Sequence, residues 1–272
     1  MFHVTSQTRK VKAKDRLAAT HRKNIAYFFR AQKAMVMKQI GKRTLSSPTG
    51  RTRELADNPW NLTTDEWDRL WQNVANRTTP ELQKIIASAE ADALHAGANN
   101  FKLAIVGVDP SKKAGTTFNL ANPRAVQWFQ RNGGSVDYIK GIQSTTSSQI
   151  KTIIQDALDT GQAYGETSKK ISQAFDGMSR DRAQRIAVYE TGNAYEAGNR
   201  QFADSIAVDG VEMEKMWQTS EDEKDCDICD GNEAEGWIPI DQAHQSGHQE
   251  PCAHVGCRCF EVYRQASSGG AE

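Results

Sequence analysis

The strongest constraint on this chain is a cluster of cysteines near its C-terminal end. All five cysteines of the 272-residue sequence fall in one short stretch, and a histidine lies among them. They occur as Cys226-x2-Cys229 and, after a loop, as Cys252-x-His254-x2-Cys257-x-Cys259. Thiolate and imidazole groups in two short pairs suit one tetrahedral zinc ion. Such an ion can supply the folding energy that a segment too small for its own apolar core lacks.

The exact ligand set is left open by the spacing. The first pair and His254 can supply three ligands, and Cys257 and Cys259 compete for the fourth position because both sulfurs of a C-x-C pair can turn inward. Cys252 is the expected spare, although it can replace His254. The alternatives to a metal site are free buried thiols or, in an oxidising compartment, disulfides. A thiolate-rich set without an HExxH or H-x-E…C-x2-C motif favours a structural zinc over a catalytic one.

An enzyme remains the alternative interpretation of the same region. A metal-dependent nuclease or hydrolase would use His244 and His248, which lie between the two cysteine pairs, and would need an open metal position. The acids close to the first pair could assist it; they are Glu221, Asp222, Glu223, Asp225, Asp227 and Asp230. The acidic run is more typical of a solvated turn.

Composition favours a soluble, ordered protein. The chain is 38% hydrophobic and 25% charged, and no apolar run approaches the roughly 18 residues of a membrane helix. The N-terminus lacks the apolar segment of a secretory signal. We therefore expect no membrane association and a reducing, cytoplasmic setting, where clustered cysteines are metal ligands more often than disulfides.

The formal net charge of zero conceals a strong asymmetry. Residues 1–53 carry 14 Lys and Arg and a single acid, Asp15. A basic arm joined to an acidic body predicts an anionic partner, either nucleic acid or an acidic protein surface. The cations expected to contact it are Arg16, Arg22, Lys23, Arg30, Lys33 and Lys38. The alternative is a solvated helix face that keeps the protein soluble.

Apolar periodicity predicts a largely helical body. A helix over 15–42 carries an apolar stripe that is expected to pack on the rest of the protein. A capping box at Thr63 and Glu66 begins a second helix, and Thr79-Pro80 begins a third that ends near Gly97. Further helices are expected over 145–160, 167–176 and 180–206, the last capped by Ser179. Residues 44–62, 105–121 and the tail after 265 are expected to be irregular.

The helix over 180–206 and the segments after it complete the expected fold. Small residues dominate one stripe of this helix, so another helix can approach it closely. Glu190 lies on that stripe and is expected to be a buried polar anchor rather than a catalytic acid. Residues 211–219 and 260–263 alternate apolar and polar side chains and are expected to pair as strands. The predicted fold class is mainly α, with a helical body and a small C-terminal zinc-stapled α+β module.

The C-terminal half resembles a known family. The helix Arg185-Ile-Ala-Val-Tyr-Glu190-Thr-Gly-Asn193 is followed by Met216-Trp217-Gln218-Thr219, by the first cysteine pair and by a Pro…His…Cys-Arg-Cys end. This order, over about 120 to 265, is similar to the Mu F-like minor head proteins of tailed phages, also called head morphogenesis proteins. The chain departs from that pattern at Val188-Tyr189, where the family has Arg-Thr, and at Val255-Gly256, where it has Pro-x. Cys252 is an addition.

The resemblance implies a non-enzymatic virion component of a phage or prophage. Such a protein associates with the portal and with capsid or scaffold proteins, and it takes part in head assembly and in DNA packaging or delivery. It is assembled in the cytoplasm of the bacterial host, carries a structural Zn²⁺ and has no small-molecule substrate. The other interpretation, from a different class, is a zinc-stabilised nucleic-acid-binding protein that holds packaged DNA through its basic arm.

The expected domain organisation is serial. Residues 1–53 form the basic helical arm, and residues 54–118 form a helical segment without a recognisable relative. Residues 119–265 form the Mu F-like domain, with the zinc module at 217–262. Residues 266–272 form a disordered tail.

Overall fold

The computed structural model describes residues 3–45, 60–104, 127–128, 136–208, 210–220, 226–254 and 256–266. The helices in these ranges are α1 (His3–Leu45), α2 (Thr64–Ala104), α3 (Val136–Thr160), α4 (Tyr164–Val208) and α5 (Asp227–Ala234). The strands are β1 (Met213–Gln218), β2 (Ile238–Pro239) and β3 (Phe260–Gln265). The predicted fold class, mainly α with a small C-terminal α+β module, is confirmed. The predicted loop at 105–121, the predicted tail and most of the predicted linker at 44–62 lie outside the described residues.

The chain divides into two compact units, each built from segments that are distant in the sequence. Unit 1 contains Met1–Arg22, Ile86–Gly133 and Gln184–Glu272. Unit 2 contains Lys23–Ile85 and Gly134–Ala183. None of the described helices combines the length and apolar character that crossing a bilayer requires.

Unit 2 has an aromatic core. Trp67 and Trp71 stack at a centroid distance of 5.6 Å, and Trp60 stacks on Tyr164 at 4.8 Å. The apolar stripe of α1 contributes buried side chains to this unit; they are Ile25, Phe28, Phe29, Val36 and Ile40. The prediction that this stripe packs on the protein itself is therefore confirmed.

The capping box that begins α2 is also confirmed. The backbone N–H of Thr63 donates to the Glu66 carboxylate at 3.0 Å, and the backbone N–H of Glu66 donates to the Thr63 hydroxyl at 3.3 Å. These bonds satisfy donors that have no partner inside the helix.

The predicted new helix at Pro80 is wrong, because α2 runs through this residue to Ala104. Proline cannot donate a backbone hydrogen bond and costs a helix interior about 3 kcal/mol. Here the hydroxyls of Thr78 and Thr79 donate to carbonyls four residues earlier, at 2.9 and 2.8 Å. Buried residues on both sides of the proline, among them Val74 and Leu82, add packing energy that holds the helix together. Tertiary burial overrides the local start signal.

The predicted break before residue 180 is wrong for a similar reason. Helix α4 is continuous from Tyr164 to Val208, so Ser179 is an interior residue and not a cap. Its hydroxyl donates to the carbonyl of Phe175, one turn earlier. A serine hydroxyl inside a helix can bond the carbonyl one turn earlier, so a serine by itself does not mark the start of a helix.

In unit 1, α2 and α4 approach each other through two glycines. A Cβ atom added at Gly198 would lie 2.1 Å from the carbonyl oxygen of Leu94, and one added at Gly97 would lie 2.0 Å from that of Tyr195. The close approach predicted for the small-residue stripe is therefore confirmed. Gly97, which was expected to end a helix, instead lies at this contact inside α2.

The sheet of unit 1 has the order β2-β1-β3, and both pairings are antiparallel. The predicted pairing of the two longer strands is confirmed, with Lys215 opposite Tyr263. Alternate side chains of β1 are buried. Phe101 of α2 and Phe202 of α4 pack against the sheet, and Phe101 contacts the Tyr263 ring edge to face at 5.0 Å. The sheet therefore packs against α2 and α4.

Candidate metal centre

The first cysteine pair lies at the start of α5. Cys226 is the residue immediately before the helix, and Cys229 falls in its first turn. Positions three apart lie on the same helix face, and the two Sγ atoms are 3.7 Å apart. This short helix was not predicted from the sequence. Four of the six predicted acids, Glu221, Asp222, Glu223 and Asp225, lie outside the described residues.

The second pair is brought inward by a tight turn before β3. The backbone N–H of Cys257 donates to the carbonyl of His254 at 3.0 Å. Gly256 has a φ of +91°, which side-chain-bearing residues rarely adopt. The turn places His254 Nε2 at 3.5 Å and Cys257 Sγ at 3.9 Å from the Sγ of Cys229.

The donor atoms fall into two groups that share Cys229. One contains Cys226, Cys229 and His254, and the other contains Cys229, Cys257 and Cys259. In each group the atoms lie within 4.8 Å of one another. The five predicted ligands thus form two overlapping sets of three donors, and Cys257 and Cys259 belong to the same set. Cys252 belongs to neither group.

The spacing of these atoms can be compared with that around a zinc ion. With Zn–S bonds of ~2.3 Å and Zn–N bonds of ~2.0 Å, a tetrahedron separates two sulfurs by ~3.8 Å and a sulfur from a nitrogen by ~3.5 Å. The observed S···S distances are 3.7 and 3.9 Å, and the S···N distance is 3.5 Å. The three distances, each measured from the Cys229 sulfur, match those around such an ion, and the cluster could hold a metal.

Burial and mutual hydrogen bonds shift the pKa values of these thiols in opposite directions. Burial raises the pKa of Cys229 to about 12. Hydrogen bonds from Cys252 and Cys259 lower the pKa of Cys257, because thiols that donate to this sulfur stabilise its thiolate. Without a cation the cluster favours one thiolate among neutral thiols. A divalent ion would ionise the coordinating ones.

The cluster is enclosed by apolar groups from α4 and β1. Trp217 is fully buried against the cysteines, and Tyr189 of α4 packs beside them. A Cβ added at Gly192 would lie 2.8 Å from the Cys252 sulfur, so only glycine lets α4 come this close. Strand β1, which carries Trp217, and helix α4, which carries Glu190, therefore enclose the cysteine cluster.

A buried ion pair, which the sequence analysis did not predict, joins α1 to the same region. The Lys14 ammonium lies 2.9 Å from the Glu196 carboxylate and donates to the carbonyls of Arg258 and Cys259 at 3.3 and 2.7 Å. Glu196 also accepts from Asn199 at 2.8 Å. Burial lowers the pKa of Lys14, but the Glu196 carboxylate outweighs it, so the pKa lies above its ordinary value. Lys14 is one of fourteen cations in the basic arm, and its sequence context does not distinguish it. Glu196, like Glu190, is a carboxylate within a run of small residues, and this pattern could have identified it.

Glu190 is buried on α4, with 6% of its surface exposed. Burial raises its pKa to about 7, although a hydrogen bond with Glu90 of α2 acts in the opposite direction. Next to it, the Thr191 hydroxyl lies 2.7 Å from Nδ1 of the buried His21. These contacts join α4 to α2 and α1 within unit 1, which is the geometry of an anchor.

The histidines of the enzymatic alternative do not converge on the cysteines. His244 is buried, and its ring nitrogens lie 3.1 Å from Glu235 and 2.7 Å from Glu261. Both nitrogens are therefore engaged in protein contacts. His248 lies 3.0 Å from the Ser246 hydroxyl. Neither histidine belongs to a candidate metal group within the described residues.

The six cations predicted to bind an anionic partner differ in their surroundings. Lys33 is paired with Asp176 at 2.7 Å, and Arg22 donates to Gln184 at 3.0 Å. The other four are exposed, and the structure gives their side chains no hydrogen bond or ion pair within its described residues; they are Arg16, Lys23, Arg30 and Lys38. Arg16 belongs to unit 1, and the other three belong to unit 2.

Comparison with known proteins supplies one match. Residues 148–262 match the family model described as Phage Mu protein F like protein. The matched region begins within α3, contains all of α4 and all five cysteines, and ends within β3. No curated protein and no solved structure matches the chain.

Proposed function

We propose that this chain is a minor head protein that associates with the portal, because residues 148–262 match the family model described as Phage Mu protein F like protein. It would act with capsid or scaffold proteins in head assembly and in DNA packaging or delivery. The observation that carries the proposal is the coincidence of the matched region with the cysteine cluster and the helix that walls it. The protein would be assembled in the host cytoplasm and retained in the virion.

We further propose that the ion held by the cluster is a structural zinc. The ligands would be Cys226, Cys229 and His254, with the fourth position taken by Cys257 or Cys259. Three thiolates and an imidazole form a common closed structural zinc set. The ion would supply folding energy to the segment between β1 and β3. The role of the protein would then be assembly rather than catalysis.

The experiment is incorporation into phage heads. A tagged chain would be expressed during infection by a phage that lacks its own copy, and density-gradient fractions would be analysed by mass spectrometry. We expect the wild-type chain in DNA-containing heads. The Cys226→Ser/Cys229→Ser variant should be absent from them, because its C-terminal module does not fold.

Cys252→Ala is the matched control, because this cysteine is buried, as Cys229 is, but belongs to neither donor group. It should enter heads as the wild type does. Normal numbers of DNA-filled heads in the complete absence of the protein would contradict the proposed function.

We propose in addition that the protein contacts packaged DNA. The exposed cations of α1, such as Arg16 and Arg30, support it, since unpaired cations are available to phosphates. Binding of a DNA duplex should then weaken steeply between 50 and 200 mM salt, roughly in proportion to the number of phosphates contacted. A salt-independent affinity, or none at low salt, would remove DNA from the list of partners.

A further inference from the structure

A basic groove lies between α1 and α2 in unit 2, on residues that precede the family match. Its volume is about 520 Å³, within the range of ligand-binding clefts. Lys38 of α1 lines it on one side, and Arg69 and Arg77 of α2 line it on the other. The two arginines are eight residues apart, so they lie on one helix face about 12 Å from each other.

No described residue neutralises the charge of this groove. None of the described residues that line it is acidic. Lys38 and Arg77 make no ion pair within the described part of the chain, and Arg69 makes only a backbone contact, to the Asp65 carbonyl at 3.4 Å. Elsewhere in the same unit, Lys151 is paired with Asp68 at 2.6 Å. The groove therefore concentrates positive charge that a partner can neutralise.

The groove also has an apolar component. Leu70 and Val74 form part of its lining and are buried, whereas Met35 at its edge is 42% exposed. Tyr27, two turns before Met35 on α1, is 68% exposed. Residues spaced by eight lie on the same helix face, so an apolar strip on α1 leads toward the groove. Exposed methionine and aromatic side chains are enriched where proteins bind partner helices.

We propose that this groove binds an acidic amphipathic helix of a partner protein. Carboxylates along one edge of that helix would pair with Arg69, Arg77 and Lys38, and its apolar face would cover Met35 and the Leu70 side chain. An amphipathic helix laid into a groove is a recurrent mode of recognition. A nucleic-acid backbone would satisfy the cations but would leave the exposed Met35 and Tyr27 without a partner. The inference goes beyond the proposed head function, because it uses residues outside the matched region.

The test uses the full-length protein and three probes. The first is a fluorescent 21-residue peptide whose leucines form one face of a helix and whose glutamates form the other. The second is a peptide of the same composition in scrambled order. The third is a 30-base-pair DNA duplex. Fluorescence anisotropy gives the dissociation constant of each complex.

Two double variants change the charge equally. Arg69→Glu/Arg77→Glu acts in the groove, and Lys169→Glu/Arg180→Glu acts on exposed cations of α4 in the same unit. We expect the groove variant to weaken binding of the amphipathic peptide about tenfold or more, because each lost ion pair also introduces a repulsion. The control variant should bind within about twofold of the wild type, as distant exposed charges are largely screened.

A third variant, Met35→Gln, separates a peptide groove from a phosphate site. It should weaken the amphipathic peptide about threefold or more, as loss of an apolar contact does, and should leave DNA binding unchanged. The proposal is overturned if the scrambled peptide binds equally well or if the two double variants behave alike. It is also overturned if DNA binding depends on the arginines while peptide binding does not. All substituted side chains are exposed, and circular dichroism verifies that each variant is folded.

Discussion

The contact between α2 and α4 makes a sharp prediction for the substitution Gly198→Ala. The new Cβ would lie 2.1 Å from the Leu94 carbonyl oxygen and 3.0 Å from the Ala98 nitrogen. A carbon and an oxygen that are not bonded approach to little less than about 3.2 Å, so the helices must separate by about 1 Å, which forfeits a large part of each dispersion contact across the interface. The obstacle is backbone, which cannot rotate away as a side chain can.

The expected cost follows from this geometry. Overpacking of a rigid interior destabilises a protein by about 1–3 kcal/mol, and the clash lies at the upper end because two backbones are involved. Alanine also gains about 0.5–1 kcal/mol over glycine in a helix, so the net loss should be about 2 kcal/mol. Gly97→Ala should cost a similar amount, since its Cβ meets the Tyr195 carbonyl.

The matched control is Gly177→Ala on the same helix, where an added Cβ meets nothing within 4 Å. It should stabilise the protein by about 0.5–1 kcal/mol, through helix propensity alone. Urea denaturation followed by circular dichroism measures the free energy of unfolding, and hydrogen exchange of α4 peptides localises the change to unit 1. If Gly198→Ala and Gly177→Ala shift the free energy in the same direction, the inferred close contact is wrong.

Two further predictions concern buried charges of unit 1. Burial raises the pKa of Glu190 to about 7. The protonated carboxyl therefore contributes its full stability below the ordinary pKa of about 4.5, and about 3 kcal/mol of stability is lost as the pH rises through 7. Relative to the wild type, Glu190→Gln should therefore be stabilised at pH 8 and not at pH 5 in denaturation curves measured with saturating metal; an equal difference at both pH values would contradict the assigned pKa. Lys14→Ala leaves the Glu196 carboxylate buried without its cation and should cost about 3–5 kcal/mol, whereas Lys12→Ala, on an exposed residue of the same helix, should change the free energy of unfolding by less than about 0.5 kcal/mol.

Short-range patterns in the sequence were sufficient where local chemistry decides the structure. The capping box at Thr63, the apolar stripe of α1 and the alternation in β1 and β3 each depend on neighbours a few residues away. The cysteine pairs belong to the same class, because C-x2-C and H-x2-C spacings fix which donors can face one point. Their approach across a loop of more than twenty residues is what the chemistry of a shared ion predicts.

Other features depend on contacts between distant segments, which periodicity does not encode. Helix α2 passes through Pro80 because packing on both sides outweighs the missing hydrogen bond. Lys14 is buried because it pairs with Glu196 and donates to two backbone carbonyls, although its sequence context is that of a solvated cation. The two compact units collect segments from different parts of the chain, which no local pattern encodes.

The sequence also concealed which cations remain exposed. Lys33 and Lys38 have similar contexts in α1, yet only Lys33 faces a carboxylate, Asp176, from another helix. Arg69 and Arg77 lie outside the basic arm, so charge counting gave no reason to single them out. The basic groove becomes visible only when the two helices are seen side by side.

The central claim, that the cysteine cluster holds one structural zinc ion, is tested most directly by metal analysis combined with hydrogen exchange. The purified protein should contain about one zinc ion per chain by mass spectrometry of the elements. Removal of that ion by a chelator at neutral pH should abolish protection of β1, β3 and α5 while the amides of unit 2 stay protected. A protein that is purified without metal and still protects these strands fully would contradict the claim.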